Sequence, residues 1–292
     1  MNYTIRNNNL TVTTSSLGGE LQSVLGKDGT EYLWQGDINT WNYKALNIFP
    51  YVARLTKGQY IFEGNTYYMD IHGFAYSLEF EVENRTSDSI SFVLHHNEET
   101  MKQYPFLFTY KIHEKLVENT LEITYEVINN DNKTMYFGLG GHPGFNVPAE
   151  DGLKFEDYYL EFKECKTPYR VGMSDTCFVE GEDTPYMMRD GKYIDLKHNL
   201  FDDDAIILRD VSREVTLKSH NGRKSITVSY PDMDYLGLWH WPKIEIPYIC
   251  IEPWTSLPSR QDIIEDISKQ PNLISLKPKE SYRNKWSISI ND

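Results

Sequence analysis

Glu252 has the surroundings that most favour a proton-transfer role. It ends the apolar run YICIE and is followed directly by Pro253 and Trp254. A carboxylate beside a buried strand is costly unless it has partners or a task, and burial raises its pKa from a usual value of about 4.3. A carboxylate with a raised pKa is an effective general base near neutrality. The alternative is a structural carboxylate that only accepts backbone hydrogen bonds.

His142 lies in the segment FGLGGHPGFNVP, where four glycines fall within seven residues. Glycine permits a close approach of the backbone to its neighbours. Pro143 removes one backbone donor and favours an extended conformation for His142, so we expect the imidazole to project from a stiff turn. A fixed imidazole is suited to proton transfer near neutral pH. The alternative is a tight turn with an incidental histidine.

Arg54 and His72 flank a predicted hairpin in the segment ARLTKGQYIFEGNTYYMDIHGFA. Its arms are short enough to bring both side chains toward one end of a sheet. The guanidinium of Arg54 offers five fixed donors for ligand oxygens, and either ring nitrogen of His72 can bond a hydroxyl or a ring oxygen. The alternative is a surface arginine and a histidine that fills a strand end.

An acidic triplet, Asp202 to Asp204, precedes the apolar strand of FDDDAIILRD. Such a triplet is most often a solvated turn, and its spacing does not match an EF-hand calcium loop. The sequence also lacks a Walker phosphate loop, a dinucleotide fingerprint, a GxSxG elbow and an HExxH motif. We therefore predict no metal site and no cofactor, and the alternative left open is an ion bound at the acidic triplet, since hard cations take clustered carboxylates.

The charge and the aromatic content of the chain narrow the choice of ligand. The 292 residues carry a formal net charge of -14, which repels a polyphosphate backbone, so nucleic acid is not an expected partner. A neutral ligand meets no such penalty, whereas a phosphorylated one needs a local cluster of arginines or lysines. The 21 tyrosines and 6 tryptophans include rings that can stack on the C–H face of a sugar. We expect part of a pocket wall in YLGLWHWPKIEIPYICIEPW.

The sequence shows no pattern typical of secretion or membrane insertion. The opening residues MNYTIRNNNL lack the basic and apolar regions of a signal peptide, and no run of about 18 apolar residues occurs. A cytoplasmic protein that does not bind membranes is therefore expected. Three cysteines, Cys165, Cys177 and Cys250, show no close metal-binding spacing, and we interpret them as reduced packing residues.

The elements that must position these residues are predicted to be mostly β-strands. Alternating apolar and polar runs joined by turns occur in YTIRNNNLTVTTS, GQYIFEGNTYYMDI, SLEFEVENRTSDSISFVLHH, TYKIHEKLVENTLEITYEVIN and REVTLKSHNGRKSITVSY. Helices are predicted in SRQDIIEDISKQP, with Ser259 as the cap, and by a weaker pattern in NEETMKQYP. Regularly spaced strands indicate an all-β antiparallel sandwich. No linker divides the chain, so residues 1–292 are expected to form one domain.

Taken in order along the chain, these segments resemble the aldose 1-epimerase (galactose mutarotase) family, and in particular its LacX-type branch. The resemblance rests on ARLTKGQYIFEGNTYYMDIHGFA, TMKQYPF, GLGGHPGFNVP, FDDDAIIL and CIEPWTSLPS, which together span nearly the whole chain. It implies a large antiparallel β-sandwich of the galactose mutarotase type, with few short helices and a cleft that holds a pyranose. The chain departs from better-known members at VARL and HGF, which bears on sugar specificity more than on the reaction.

The resemblance also implies roles for individual residues. Glu252 in IEPW matches the family's catalytic base, and His142 in GHPGF matches its catalytic acid. His72 in HGF matches a second active-site histidine. Arg54 matches the arginine that precedes the family's hairpin.

By the same resemblance, the acidic triplet would supply the residue that holds substrate hydroxyls. Asp203 best matches the family's aspartate, with Asp204 and Asp202 as alternatives in register. The expected partner is therefore a small-molecule sugar. Either a monomer or a homodimer is compatible with the sequence.

The implied reaction is the interconversion of the α and β anomers of a hexose by ring opening and closure. It needs two opposed proton-transfer groups and no redox or metal cofactor. One alternative is a hexose-6-phosphate 1-epimerase, which requires Lys57, Arg54, Arg85 or other basic residues to meet at one end of the cleft. Another is a non-catalytic sugar-binding or sensing protein. A glycosidase or lyase fits a glutamate and a histidine less well than it fits two carboxylates.

Overall fold

The computed structural model describes residues 1–291, and most of its elements are β-strands. The first twelve strands are β1 (Asn2–Arg6), β2 (Thr11–Ser15), β3 (Leu21–Leu25), β4 (Ala45–Ile48), β5 (Gln59–Phe62), β6 (Asn65–Tyr68), β7 (Glu81–Arg85), β8 (Ser89–His95), β9 (Phe108–Val117), β10 (Thr120–Asn129), β11 (Met135–Phe137) and β12 (Gly140–Asn146). The other twelve are β13 (Tyr158–Phe162), β14 (Tyr169–Arg170), β15 (Thr184–Pro185), β16 (Tyr193–Asp195), β17 (Ile206–Arg209), β18 (Glu214–Ser219), β19 (Ser225–Ser229), β20 (Tyr235–Trp239), β21 (Tyr248–Trp254), β22 (Glu265–Asp266), β23 (Ile274–Leu276) and β24 (Ser281–Asn291). Helix α1 (Glu98–Gln103) and four 3-10 turns (Thr56–Gly58, Ala75–Ser77, Phe155–Asp157 and His198–Phe201) are the helical elements of these residues. None of them has the length and apolar character needed to cross a membrane.

Two large antiparallel sheets dominate the fold. The larger has nine strands in the order β16-β13-β18-β19-β24-β10-β9-β8-β7, and the other has seven in the order β15-β14-β17-β20-β21-β12-β4. The main hydrophobic core lies between them and takes Ile112 and Ile288 from the first sheet and Leu238 and Ile251 from the second. Three small sheets, β1-β2-β3, β22-β5-β6 and β11-β23, complete the strand pairing of residues 1–291. The predicted all-β antiparallel sandwich is confirmed.

The five predicted hairpins are all present. The pairs β1/β2, β5/β6, β7/β8, β9/β10 and β18/β19 are antiparallel and match the predicted segments, with β1 and β9 each beginning one residue earlier. In the β5/β6 hairpin, Glu63 and Gly64 both adopt positive φ angles, as a two-residue hairpin turn requires. Local turn chemistry therefore sets this hairpin.

Only the weaker of the two helix predictions is confirmed. Helix α1 follows Asn97, whose side chain accepts hydrogen bonds from the backbone N–H groups of Glu99 and Thr100. The helix predicted after Ser259 is wrong. That segment forms turns and the short strand β22, which pairs in parallel with β5.

Contacts distant in sequence explain why the segment after Ser259 is not helical. The hydroxyl of Ser259 accepts a hydrogen bond from the backbone N–H of Thr56 (2.7 Å) and so does not cap a helix. Glu265 is 4% exposed, and its Oε1 accepts a hydrogen bond from Nε of Arg260 (2.8 Å). Pairing with β5 satisfies backbone groups that a helix would otherwise have satisfied, and it outweighs the local helix propensity.

The centre of the seven-stranded sheet is buried on both faces. Every residue of β21 is buried. Ile249 and Ile251 belong to the main core, whereas Cys250, Glu252 and Trp254 do not. Successive side chains of a strand point to opposite faces, so these three project from the outer face of the sheet.

Glu114 is a buried carboxyl in the main core. It occupies an inward position of β9 between Ile112 and Leu116 and is 2% exposed. Its Oε1 accepts a hydrogen bond from Oγ1 of Thr14 (3.1 Å), while Oε2 has no partner among residues 1–291. Burial raises the pKa of Glu114 to about 8, against a smaller lowering by the Thr14 hydrogen bond. The folded protein therefore holds Glu114 largely neutral at pH 7.

We predict that Glu114→Gln stabilises the protein more at about pH 8 than at about pH 5. Because the pKa of Glu114 is higher in the folded state, wild-type stability falls as the pH rises from 4.5 toward about 8. Glutamine keeps the shape and cannot ionise, so this loss, on the order of a few kcal/mol, disappears. Thermal unfolding of both proteins at the two pH values measures the effect. An equal difference in Tm at both would contradict the prediction.

Candidate active site

A cavity of about 360 Å³ opens on the outer face of the seven-stranded sheet. That volume lies within the range of about 300 to 1,000 Å³ that small-molecule sites occupy. The five residues singled out from the sequence all line it: Arg54, His72, His142, Asp203 and Glu252. They come from four separate segments of the chain, and the fold brings them together.

Glu252 and His142 form a buried pair in the wall of the cavity. Strands β12 and β21 pair in a register that sets His142 across from Glu252. Nε2 of His142 lies 3.2 Å from Oε2 of Glu252, and the two residues are 7% and 1% exposed. Neither Oε2 of Glu252 nor Nδ1 of His142 has a hydrogen-bond partner among residues 1–291. Buried polar atoms without partners are costly, and these two are placed to bond a ligand.

His142 lies on a strand and not in the predicted stiff turn. It belongs to β12, where it pairs with Leu46 of β4. The glycines of this segment serve packing, since a Cβ atom at Gly144 would lie 2.7 Å from Cζ3 of Trp41. Trp41 stacks on His142, with ring centroids 4.9 Å apart and planes 28° apart. The indole therefore covers one face of the imidazole.

Burial favours the uncharged form of both groups in the pair. It raises the pKa of Glu252 well above its usual value, and the negative charge of Asp204 adds to the rise. It lowers the pKa of His142 well below its usual value, and His72 adds to the fall. These opposite shifts favour a pair that holds one proton in common. A singly protonated pair can accept a proton on one group and give one from the other.

His72 contacts His142 edge-on, with ring centroids 5.3 Å apart. The backbone N–H of Ala53 donates to Nδ1 of His72 (3.3 Å), and the backbone N–H of His72 donates to the carbonyl of Ala53 (2.9 Å). Burial, and next the charge of Arg54, lower the pKa of His72 to about 4. The ring is therefore neutral at pH 7 and carries its proton on Nε2, which is free to donate to a ligand.

Arg54 is held beside His72 by the same backbone pairing. Its exposed side chain lines the cavity and makes no hydrogen bond or ion pair with another side chain among residues 1–291. The five donors of the guanidinium are therefore available to a ligand. The neighbouring turn after His72 depends on Gly73, which has a φ of 78° and whose Cβ, if present, would lie 2.3 Å from the carbonyl oxygen of Phe49.

Comparison with known proteins gives one consistent match over the length of the chain. Residues 1–289 match the family model described as aldose 1-epimerase. The chain belongs to the aldose 1-epimerase family. Protein LacX of Lactococcus lactis subsp. lactis is 32% identical over 300 residues, which cover 99% of each chain.

Two solved structures resemble this member of the aldose 1-epimerase family closely. A galactose mutarotase related enzyme from Lactobacillus acidophilus has 34% identity and a TM-score of 0.94, covering 100% of this chain and 98% of that one. A galactose mutarotase-like protein from Lactobacillus casei has 31% identity and a TM-score of 0.94, covering 99% of this chain and 100% of that one. They confirm the galactose mutarotase-like sandwich. The family supports a carbohydrate epimerase, an isomerase whose partner is a small sugar.

In this aldose 1-epimerase family chain, two residues of the acidic triplet reach the cavity. Asp203 and Asp204 line it, and Asp202 does not. Asp203 is exposed, whereas Oδ2 of Asp204 accepts a hydrogen bond from Sγ of Cys177 (2.8 Å). Burial, and next this hydrogen bond, raise the pKa of the Cys177 thiol to about 11. Asp203 therefore has the freer carboxylate for a ligand.

The aromatic wall is broader than the sequence indicated. Trp239, Trp241 and Trp254 line the cavity, in agreement with the pocket wall expected in the segment YLGLWHWPKIEIPYICIEPW. Three further aromatic residues, which were not predicted from the sequence, also line it: Trp41, Tyr43 and Tyr76. They belong to no recognisable motif, so their sequence neighbourhood carried no signal.

The cysteines are all free, but they are not all packing residues. Cys250 is buried, Cys165 is exposed, and Cys177 lines the cavity. Cys250 lies close enough to the catalytic candidates that it, His142 and Glu252 each offer one metal-ligating atom within 4.8 Å of the others. This is the part of the site with the chemistry to hold a metal ion.

Proposed function

We propose that the protein interconverts the α and β anomers of an unphosphorylated aldose. The observation that carries the proposal is the buried pair of Glu252 and His142, whose nearest atoms are 3.2 Å apart in the wall of the cavity. Two groups that share one proton match the needs of ring opening catalysed by an acid and a base. Membership of the aldose 1-epimerase family supports the same reaction.

In the ring-opening step, Glu252 acts as the base and His142 as the acid. The carboxylate takes the proton of the anomeric hydroxyl O1, and the imidazolium gives a proton to the ring oxygen O5. The C1–O5 bond breaks as electrons from O1 form the C1=O1 double bond of the aldehyde. Each such group is worth about 10² to 10⁴ in rate, or roughly 3 to 5 kcal/mol of barrier.

In the closing step the two groups exchange roles. After rotation about the C1–C2 bond, the O5 hydroxyl attacks the opposite face of C1. Its proton returns to the neutral imidazole of His142, and the carboxyl of Glu252 protonates O1. The pair carries one proton in both protonation states, so opening and closing convert each state into the other.

The neighbouring residues orient the sugar in this proposal. The Nε2–H of His72 donates to a sugar oxygen near the reacting centre, and the guanidinium of Arg54 grips further oxygens. Asp203 accepts hydrogen bonds from sugar hydroxyls. The tryptophans of the wall stack on the apolar face of the ring.

The charges around the cavity favour a neutral sugar over a hexose 6-phosphate. Arg54 is the one arginine or lysine among the lining residues that the structure describes, and two aspartates, Asp203 and Asp204, share the lining with it. Lys57 lies outside the lining, and Arg85 bonds a backbone carbonyl elsewhere. Recognition of a phosphate dianion needs a cluster of cations, and the net charge of -14 opposes its entry.

We predict faster mutarotation of neutral hexoses than of phosphorylated ones. The protein is expected to accelerate freshly dissolved α-glucose or α-galactose above the spontaneous rate, with kcat/KM at least about tenfold higher than for glucose 6-phosphate. Polarimetry records the approach to anomeric equilibrium. The protein-free rate of each sugar is subtracted, because a phosphate group itself catalyses mutarotation.

Two outcomes would overturn this proposal in different ways. A higher kcat/KM for glucose 6-phosphate would assign the protein as a hexose-6-phosphate 1-epimerase. A folded protein that binds these sugars in calorimetry and accelerates none of them would be a non-catalytic sugar-binding protein.

A further inference from the structure

Cys250 adds a third metal-ligating atom beside Glu252 and His142. One atom from each of the three residues lies within 4.8 Å of the other two, and all three residues are buried. Cys250 and Glu252 occupy alternate positions of β21 and project from the same face, while His142 reaches in from β12. Two strand residues spaced by one, with a third across the ladder, form a converging set of donors.

We propose that this set binds a thiophilic divalent cation, of which Zn²⁺ is the best match, and that the bound ion blocks mutarotation. A thiolate sulfur, an imidazole nitrogen and a carboxylate oxygen are ligands that Zn²⁺ takes, and three protein ligands leave a fourth position open. A second observation points to a ligand here. Oε2 of Glu252, in a residue that is 1% exposed, has no hydrogen-bond partner among residues 1–291.

The donors need only small movements to reach coordination geometry. Zinc–ligand bonds of about 2.0 to 2.3 Å set tetrahedral ligands roughly 3.5 Å apart. Nε2 of His142 and Oε2 of Glu252 are already 3.2 Å apart. Side-chain rotations that close about 1 Å bring the sulfur of Cys250 into the same sphere. Glu252 and His142 line the cavity and Cys250 does not, so the open position faces the sugar site.

Binding exchanges protons for the ion. The thiol of Cys250 and the carboxyl of Glu252 each release a proton to water, and His142 binds through a nitrogen lone pair. The ion then occupies the two groups that the sugar requires. Inhibition is therefore competitive with the sugar and is reversed by a chelator.

The cavity offers a matched control in its other thiol. Cys177 also lines the cavity and bonds to the carboxylate of Asp204, so a zinc ion held there would be the rival explanation. Cys177→Ser and Cys250→Ser make the same chemical change at the two sites. Each variant is compared with its own metal-free rate, which removes any difference in basal activity.

Zinc inhibition of the wild type and both variants tests the proposal. Cys250→Ser is expected to raise the Zn²⁺ concentration for half-inhibition by at least about tenfold, and Cys177→Ser by less than about twofold, because only the first removes a ligand. Inhibition that Cys177→Ser relieves and Cys250→Ser does not would overturn the proposal. So would a wild-type rate that is insensitive to zinc.

A spectroscopic test needs no turnover and therefore separates this inference from the proposed activity. Co²⁺ alone, added to the wild type or to Cys177→Ser, is expected to give a thiolate-to-cobalt charge-transfer band in the near ultraviolet. Cys250→Ser and Cys250→Ala, each shown to be folded by circular dichroism, are expected to lack it. A band that persists in both Cys250 variants, or one that is absent from the wild type, would contradict the site.

Discussion

Glu252→Gln is expected to lower kcat for mutarotation by about 10² to 10⁴, with little change in KM. Glutamine keeps the size of the side chain but cannot take the proton of the anomeric hydroxyl. The sugar-binding contacts proposed for Arg54, His72 and Asp203 remain, so the ground-state complex forms as before. Polarimetry with α-glucose over a range of concentrations separates the two constants.

Glu114→Gln is the matched control for this variant. Glu114 is also a buried glutamate with a raised pKa, but it lies in the main core and not in the cavity. Its amide variant loses the same titratable group and is expected to keep the wild-type kcat. If Glu252→Gln retains the wild-type rate, or if both variants lose activity equally, Glu252 is not the base.

His142→Asn is expected to lower kcat by a factor similar to that of Glu252→Gln and to change the pH profile of kcat/KM. Asparagine retains a polar side chain but cannot give a proton to the ring oxygen, which is worth about 10² to 10⁴ in rate. The wild-type profile of kcat/KM is expected to be a broad plateau. The residual rate of the variant is expected to rise with pH as Glu252 ionises. Polarimetry across the stable pH range measures both profiles.

The breadth of the wild-type plateau follows from the two pKa shifts. Below the pKa of His142 both groups carry a proton, and Glu252 cannot act as the base. Above the pKa of Glu252 neither carries one, and His142 cannot act as the acid. Burial lowers the pKa of His142 and raises the pKa of Glu252. The acidic and basic limbs of the pH profile therefore move apart and leave a plateau around neutrality. Of the groups around the pair, Asp204 adds to the rise at Glu252, while His72, with a pKa of about 4 next to Arg54, titrates well below neutrality.

His96→Asn serves as the control for the loss of activity expected in His142→Asn. Its Nδ1 bonds to the carbonyl of Phe108, and the residue does not line the cavity. This variant is expected to keep both the rate and the plateau. A narrow wild-type profile centred on the usual histidine pKa, or a variant of His142 with unchanged kcat, would refute the assignment of His142 as the acid.

The sequence predicts Glu252 well because its signal is local. The apolar run before it determines a buried strand, and the alternation of side chains then places Glu252 on one face. The sequence identified His142 as a candidate site residue, but it did not predict that His142 lies on a strand. Its glycines suggested a turn, whereas Gly141 and Gly144 admit Trp286 and Trp41 against the two faces of a strand. The residues that pack against these glycines are distant in sequence, so the local motif does not reveal them.

Helix α1 and the failed helix after Ser259 show the same limit. Helix α1 depends on the cap at Asn97, only one residue before its first turn. The segment after Ser259 is determined by β5, about 200 positions away, and by the hydrogen bond from Thr56. Trp41 was missed for the same reason, since its contact with His142 joins two distant segments. Long-range pairing therefore sets the limit of prediction here.

The odd-numbered and even-numbered residues of the second half of strand β21 have different roles. Ile249 and Ile251 pack in the main core, whereas Cys250, Glu252 and Trp254 project from the opposite face, where Glu252 and Trp254 line the cavity. Trp254 lines the cavity and is not a proposed proton-transfer group, so its substitution can change sugar preference while the core contacts of Ile249 and Ile251 stay in place. For directed evolution, this means that a library that keeps Glu252 and varies Trp254 of β21 and Trp239 of β20 changes the wall of the sugar site while sparing the main core beneath it.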